Sequence, residues 1–420
     1  MNSSRQTFKS SIAAISGNLI EWYDFALFLF VAPIIAKQFF PLDGKFALLG
    51  TFTVYAVSFF FRPLGAVIFG HIGDVYGRAI ALRWSLSLLA ALSIVMALIP
   101  NYQSIGALAT LMLCLCRVGQ GICLGGEFAG SMIYLGETVK CDRRSFYTSL
   151  SNNASNMGIL LAAGSAALLS YLMPETFFTT IGFRILFLLG GLIGVIGFAF
   201  RSDLKETQDF AEIKQPIKQP LLAAIKYHRQ SFVQLFLMLV ISALGSYAFI
   251  GYMSTFLNQS VGCSIPTALR YETLFISLTL FCVPCFAYIA DKMTPQKMFR
   301  MACSAYVLLV FPCYYLLYHY QNPLFLLPLV MVYSMEQSCV PALLMRFFPA
   351  SIRYTGVSIT YNSCMALIGG LSPLLGQLFI GNWNMPYGIA GLLMIGAATG
   401  LCVVRKENIS NVLPQPLALR

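Results

Sequence analysis

Charge is what this 420-residue chain has least of. Asp, Glu, Lys and Arg make up 10% of it, against about 25% in a soluble globular domain. With 58% hydrophobic residues and a mean hydropathy of +0.75, a soluble fold is excluded and a polytopic membrane protein is expected. Histidine is nearly as scarce: His71, His228 and His319 all fall at loops between long apolar runs, so no mid-membrane imidazole relay is expected. Acids number 16 against 27 Lys and Arg, for a net charge of +11. The basic excess collects in alternate loops, which is topology bias and not a nucleic-acid footprint. No small-residue cleavage pattern follows the first apolar run, which therefore reads as a retained helix and not a signal peptide. Cysteine is plentiful, at 12, but most thiols sit inside apolar runs where they act as small hydrophobes. Cys282 and Cys285 have a CxxC spacing without a histidine or a second pair nearby. No metal, cofactor or nucleophile–base pair is expected, so the chain is not read as an enzyme.

What is present is a series of apolar runs of bilayer length. They fall at 11–36, 46–70, 79–99, 104–138, 147–173 and 178–200, then at 230–257, 268–290, 299–318, 323–345, 354–380 and 384–404. The expected fold is an all-α membrane protein of twelve transmembrane helices in two pseudo-symmetric six-helix halves. The halves are 1–200 and 230–405, with a polar linker at 201–229 and a tail at 406–420. Setting aside Arg62 and Arg117, which lie inside spans, 21 Lys and Arg fall on the side of the N-terminus and 4 on the other. Both termini and the linker are therefore expected in the cytoplasm. The halves also rhyme. Gly70-His-Ile-Gly-Asp74 closes span two and Ala287-Tyr-Ile-Ala-Asp291 closes span eight. Glu137…Arg143-Arg144-Ser-Phe-Tyr in turn parallels Phe348-Pro…Arg353-Tyr-Thr-Gly. Paired halves of this kind are the plan of transporters that alternate access to a midplane site.

The charges left inside the spans carry the chemistry. Gly17-Asn-Leu-Ile-Glu-Trp-Tyr-Asp-Phe25 places Glu21 and Asp24 on one helix face within an apolar run. Span four carries Arg117 and Glu127 among Gly119, Gly121, Gly125 and Gly126, a spacing that admits close helix contact. An intramembrane guanidinium needs a carboxylate, and Asp24 or Glu21 is the candidate. Protonating that acid would break the pair and couple proton movement to a conformational change; the alternative is a permanent structural salt bridge. Asp24, Glu21, Arg117 and Glu127 are the proton-coupling candidates. Arg62, followed by Pro63, either holds an anionic substrate by paired hydrogen bonds or snorkels to the interface. Asn18, Tyr23, Tyr247, Tyr252, Glu336, Gln337, Tyr361 and Asn362 are the further substrate-binding candidates. The Gly70…Asp74…Gly77-Arg78 loop reads as a charge latch or as a plain tight turn. Glu137, Arg144, Asp291, Arg346 and Arg353 are its gating partners, with Arg346 a candidate mate for Asp291.

The Gly70–Arg78 segment resembles the signature loop of the major facilitator superfamily. Gly17-Asn…Glu21-Trp-Tyr-Asp24-Phe, Phe39-Phe-Pro41, Arg62-Pro-Leu-Gly65, Arg117…Gly119-Gln-Gly…Gly125-Gly-Glu127 and Phe348-Pro…Arg353-Tyr-Thr-Gly-Val-Ser…Tyr361-Asn362 resemble its metabolite–proton symporters. Members of that family carry proline or betaine, α-ketoglutarate, shikimate and citrate. The resemblance implies a proton-driven importer of a small polar metabolite; a monomer in a bacterial inner membrane is expected. The resemblance also implies Asp24–Arg117 as coupling element and Asp74–Arg78 as gate. Alternatives are a proton-independent facilitator or exporter, or a membrane sensor that has lost transport. Span five, Asn152 to Gly164, lacks the Gly-Pro motif of drug-type antiporters, which counts against export. Val75, Ala79, Arg346 and Thr294-Pro295-Gln296 depart from the family pattern in the gating loops.

Overall fold

The computed structural model describes residues 2–41, 44–213, 215–379 and 387–404. The tail expected at 406–420, and Arg405 before it, lie outside the described residues. Among the described residues, twelve principal helices follow the apolar runs. They are α1 (Asn2–Phe30), α2 (Gly44–Val75), α3 (Arg78–Leu98), α4 (Ala107–Thr138), α5 (Arg144–Leu172) and α6 (Phe183–Ser202). Then come α7 (Arg229–Ser246), α8 (Ile265–Met293), α9 (Pro295–Tyr320), α10 (Leu327–Leu344), α11 (Arg353–Cys364) and α12 (Gly388–Val403). Among the described residues there is no strand, and ten helices are long and apolar enough to cross a membrane. Helices satisfy their own backbone bonds, which hydrocarbon demands.

The helices depart from the expected runs at several points. The first run breaks at Val31, because Pro33 opens a new short helix, Ala32–Phe39. The eleventh run is interrupted: α11 passes into a π-helical turn, Met365–Gly369, before resuming at Gly370–Gln377. α12 has only 16 residues.

The chain separates into two compact units, Met1–Thr138 with Ser151–Lys218, and Val139–Leu150 with Gln219–Arg420. The packing inside each repeats with an offset of six helices. In the first, α2 packs on α4, α3 on α6 and α4, and α1 on α6 and α4. In the second, α8 packs on α10, α9 on α12 and α10, and α7 on α12 and α10. The glycines of α4 do what their four-residue spacing predicts. A Cβ on Gly121 would lie 2.2 Å from the Ser58 carbonyl, and one on Gly125 2.1 Å from that of Arg62. Only glycine lets these two backbones touch.

The polar interval after α6 is not free linker at its start. Arg201 is fully buried at the end of α6. Glu206 reaches back to the α2–α3 turn, accepting from the amides of Arg78 at 2.9 Å and Ala79 at 3.2 Å. A carboxylate on the exposed amides of a helix N-terminus is favourable.

Candidate functional site

Asp24 is buried in the first unit, and its oxygens are treated unequally. Oδ2 accepts from Ser93 Oγ on α3 and from Gln120 Nε2 on α4 at 2.6 Å. Oδ1 is buried with no hydrogen-bond partner among the described residues. The direct Asp24–Arg117 ion pair expected from the sequence does not form: Gln120 stands between them. Its Oε1 accepts from Arg117 Nη1 at 2.9 Å while its amide nitrogen donates to Asp24. The carboxamide is oriented by both charges, because reversing it would set oxygen against carboxylate and nitrogen against guanidinium. Arg117 is otherwise held by the face of Phe28, 3.6 Å from its ring centroid, and its Nε and Nη2 have no partner among the described residues. The result is a carboxylate–amide–guanidinium chain crossing α1 and α4. Gln120 carries no charge, so charge counting alone missed it, although it lies three residues from Arg117 on the same face.

Glu127, expected among the proton-coupling groups, is paired with Arg201 and Ser85. Arg201 Nη2 and Nη1 donate to its two oxygens, the second at 2.9 Å, and Ser85 Oγ donates to Oε2 at 2.5 Å. The remaining Arg201 donors go to the carbonyls of Ala13 at 2.9 Å, Ala14 at 2.6 Å and Leu82 at 2.5 Å. All five guanidinium hydrogens are used. This bonding ties α1, α3, α4 and α6 together. With every guanidinium hydrogen and three of the carboxylate's acceptor sites engaged, the pair has the bonding of a structural clamp.

Glu21 and Arg62 are the opposite case. Glu21 is 1% exposed, and neither of its oxygens has a partner among the described residues. Arg62 is 4% exposed, with Nε and Nη2 unpartnered. Its guanidinium lies 4.6 Å from the Phe59 ring centroid and 5.1 Å from that of Phe25, one turn along α1 from Glu21. Arg62 and Arg201 are the positive charges that act on Glu21. Arg62 therefore does not snorkel: it is buried against α1.

Other candidates are tied into the scaffold. Asn18 donates to the Ser151 carbonyl at 3.3 Å and accepts from Ser131 at 3.2 Å. Tyr23 bonds through its hydroxyl to the Leu186 carbonyl and to Ser165, both at 3.2 Å. In the second unit Glu336 is fully buried, accepting from Ser242 Oγ and from Gln337 Nε2 at 2.9 Å. Asn362 donates to the Ser358 carbonyl at 2.8 Å, and Tyr361 is buried one residue before it. Tyr247 and Tyr252 line a mainly aliphatic hollow of only about 10 Å³ with Leu244, Ser372, Ile389 and Leu393.

The gating candidates divide in the same way. Arg78 pairs with Asp74 at 3.0 Å and Glu137 at 3.1 Å, and donates to the Gly73 carbonyl at 2.6 Å. Gly77 has φ 124°, and a Cβ there would lie 2.3 Å from Glu206 Oε2. Gly70 is buried near the end of α2. The expected Arg346–Asp291 pair does not form among the described residues. Asp291 instead accepts from the backbone amides of Ser145 at 2.7 Å and Phe146 at 2.9 Å, capping the N-terminus of α5. Arg346 has the like charge of Arg144 acting on it. Arg353 Nε donates to the Phe348 carbonyl at 3.3 Å.

A family model described as Major Facilitator Superfamily matches residues 14–373. The chain belongs to the major facilitator superfamily. Among curated relatives, the citrate-proton symporter of Klebsiella pneumoniae is 29% identical, over 90% of this chain and 88% of its own length. The proline/betaine transporter of Escherichia coli K12 is 28% identical, over 95% of this chain and 84% of its own. Among solved structures, the proton:xylose symporter XylE bound to 6-bromo-6-deoxy-D-glucose superposes with a TM-score of 0.78 at 16% identity. That match covers 96% of this chain and 95% of XylE, and it shows the shared fold. The protein is a multi-pass membrane transporter and not an enzyme.

Proposed function

We propose that this major facilitator protein imports a small polar metabolite by proton symport with alternating access. Asp24 is its proton-accepting group, and Gln120 and Arg117 carry the effect of its protonation onto α4. The observation that carries the reading is the Asp24–Gln120–Arg117 chain. An ionised Asp24 holds the amide and, through it, the guanidinium. A neutral one attracts both less, so proton binding changes how α1 and α4 are tied.

The substrate class in this reading is an organic acid, amino acid or other zwitterion. Glu21 and Arg62 supply the support, as two buried groups of opposite sign: both Glu21 oxygens and the Nε and Nη2 of Arg62 have no partner among the described residues. Buried charges without partners are costly, and a solute bearing an ammonium and a carboxylate satisfies both. The relatives named for proline/betaine and for citrate with protons fall in the same range. The reading also places the protein in a bacterial inner membrane as a monomer, with both termini and the linker in the cytoplasm.

The test is solute accumulation in proteoliposomes under an imposed proton gradient. Accumulation is expected to collapse with a protonophore and in Asp24→Asn, while Asp24→Asn retains solute exchange. Accumulation that persists in Asp24→Asn sinks the reading. Glu21→Gln and Arg62→Gln are each expected to weaken solute binding at unchanged pH dependence.

A further inference from the structure

Building on the symport reading, we infer that the proton is taken up at Oδ1 of Asp24, and that Gly190 on α6 is the positioning residue that keeps the space beside this oxygen free of a side chain. Oδ2 already accepts two hydrogen bonds, from Ser93 Oγ and Gln120 Nε2. A proton placed there would face two donors and displace at least one. Oδ1 has no donor to displace.

The residue facing Oδ1 is Gly190. A Cβ at this position would lie 2.8 Å from Oδ1 and 3.0 Å from the Tyr23 ring. Tyr23 cannot move aside readily, because its hydroxyl is bonded to the Leu186 carbonyl and Ser165. An alanine methyl would press directly on the oxygen, with the ring behind it. The charged and titratable groups around Asp24 are Arg117 on α4, acting through Gln120, and Tyr23 and Glu21 on α1 itself. α3 contributes Ser93 and α6 contributes Gly190, both uncharged. A methyl at Gly190 therefore alters the space at one carboxylate oxygen and leaves the local charges unchanged.

The experiment has two arms. In the first, proton-driven uptake is followed against external pH in wild type, Gly190→Ala and Gly194→Ala. Gly194 is the steric control: its Cβ would meet Ala90 Cβ at 2.6 Å, one turn from the carboxylate. Gly190→Ala is expected to shift the acid-side midpoint by about one pH unit, tenfold in proton concentration, and Gly194→Ala to leave it in place. Superimposable wild-type and Gly190→Ala profiles overturn the inference.

The second arm does not depend on Gly190→Ala folding. The infrared C=O band of protonated Asp24, assigned by its loss in Asp24→Asn, is compared between wild type and Ser93→Ala. With the proton on Oδ1, the carbonyl is Oδ2, and loss of the Ser93 bond raises the band. A band indifferent to Ser93→Ala means that Oδ2 carries the proton and overturns the assignment. The failure of symport itself reads differently, as accumulation that survives Asp24→Asn.

Discussion

Arg201→Met should be among the most damaging single changes in the first unit. It removes every donor that Glu127 uses except Ser85 Oγ, and it takes one donor each from the carbonyls of Ala13, Ala14 and Leu82. Removing one member of a buried ion pair leaves an uncompensated charge and costs about 3–5 kcal/mol. Glu127→Leu alone leaves Arg201 buried with three carbonyl acceptors, and its cost falls in the same range of roughly 3–5 kcal/mol. The double variant, Glu127→Leu with Arg201→Met, leaves no buried charge. It should return to within about 1–2 kcal/mol of wild type, since apolar replacement of a whole buried pair is often neutral. Denaturant unfolding of the four proteins in one detergent gives the interaction energy by double-mutant cycle. Singles that cost less than about 1 kcal/mol, the usual worth of an exposed pair, would refute the clamp. So would a double variant no more stable than its worse single. Uptake adds a second criterion, because a structural clamp predicts that the double variant stays proton-driven, whereas a coupling acid predicts the loss seen in Asp24→Asn.

Gln120→Leu removes one hydrogen bond from each of two charged groups, each worth about 1.5–3 kcal/mol. Proton-driven uptake should fall by at least about tenfold with little change in solute exchange, measured as initial rates. Gly77→Ala combines a φ of 124° with a methyl on Glu206 Oε2. It should destabilise the protein by roughly 1–3 kcal/mol, and Glu206→Ala should relieve only the steric part in a thermal melt. His228 lies against the Phe348 ring at 6.3 Å, and burial lowers its imidazole below the ordinary 6.5. The unfolded chain then binds a proton more readily than the folded one. Stability is therefore full above the unfolded value and is lost as pH falls through it. His228→Gln should flatten that loss in melts compared at about pH 8 and about pH 5.

The helices were legible because hydrocarbon imposes both length and hydropathy on each, and the internal rhymes gave the repeat. Asp24, Glu21, Arg62 and Arg117 stood out because a charge in an apolar run is conspicuous. Their partners did not stand out. Gln120 and Ser93 are uncharged, and their roles come from which helix faces meet. Arg201 was counted as a loop charge because a hydropathy reading ends a span at its first charge, whereas α6 runs on to Ser202. Asp291 looked as if it needed a cation, yet backbone amides at the start of α5 took its oxygens. Such donors are common to every residue and leave no trace in composition. Gly190 was one of several glycines in its run, and only the position of Oδ1 distinguishes it.

The reach of Glu206 into the α2–α3 turn decides where this chain tolerates being cut. Thr207 bonds Glu137 at 2.6 Å, and Phe210 lies 5.1 Å beneath the Arg78 guanidinium. A protease site or fusion junction inserted at Asp203 would detach this strap from the turn it secures. One placed beyond Phe210 leaves the strap on the fragment it belongs to, so co-expressed fragments split there should each keep a properly tied Gly77–Arg78 corner or, for the second, never need one.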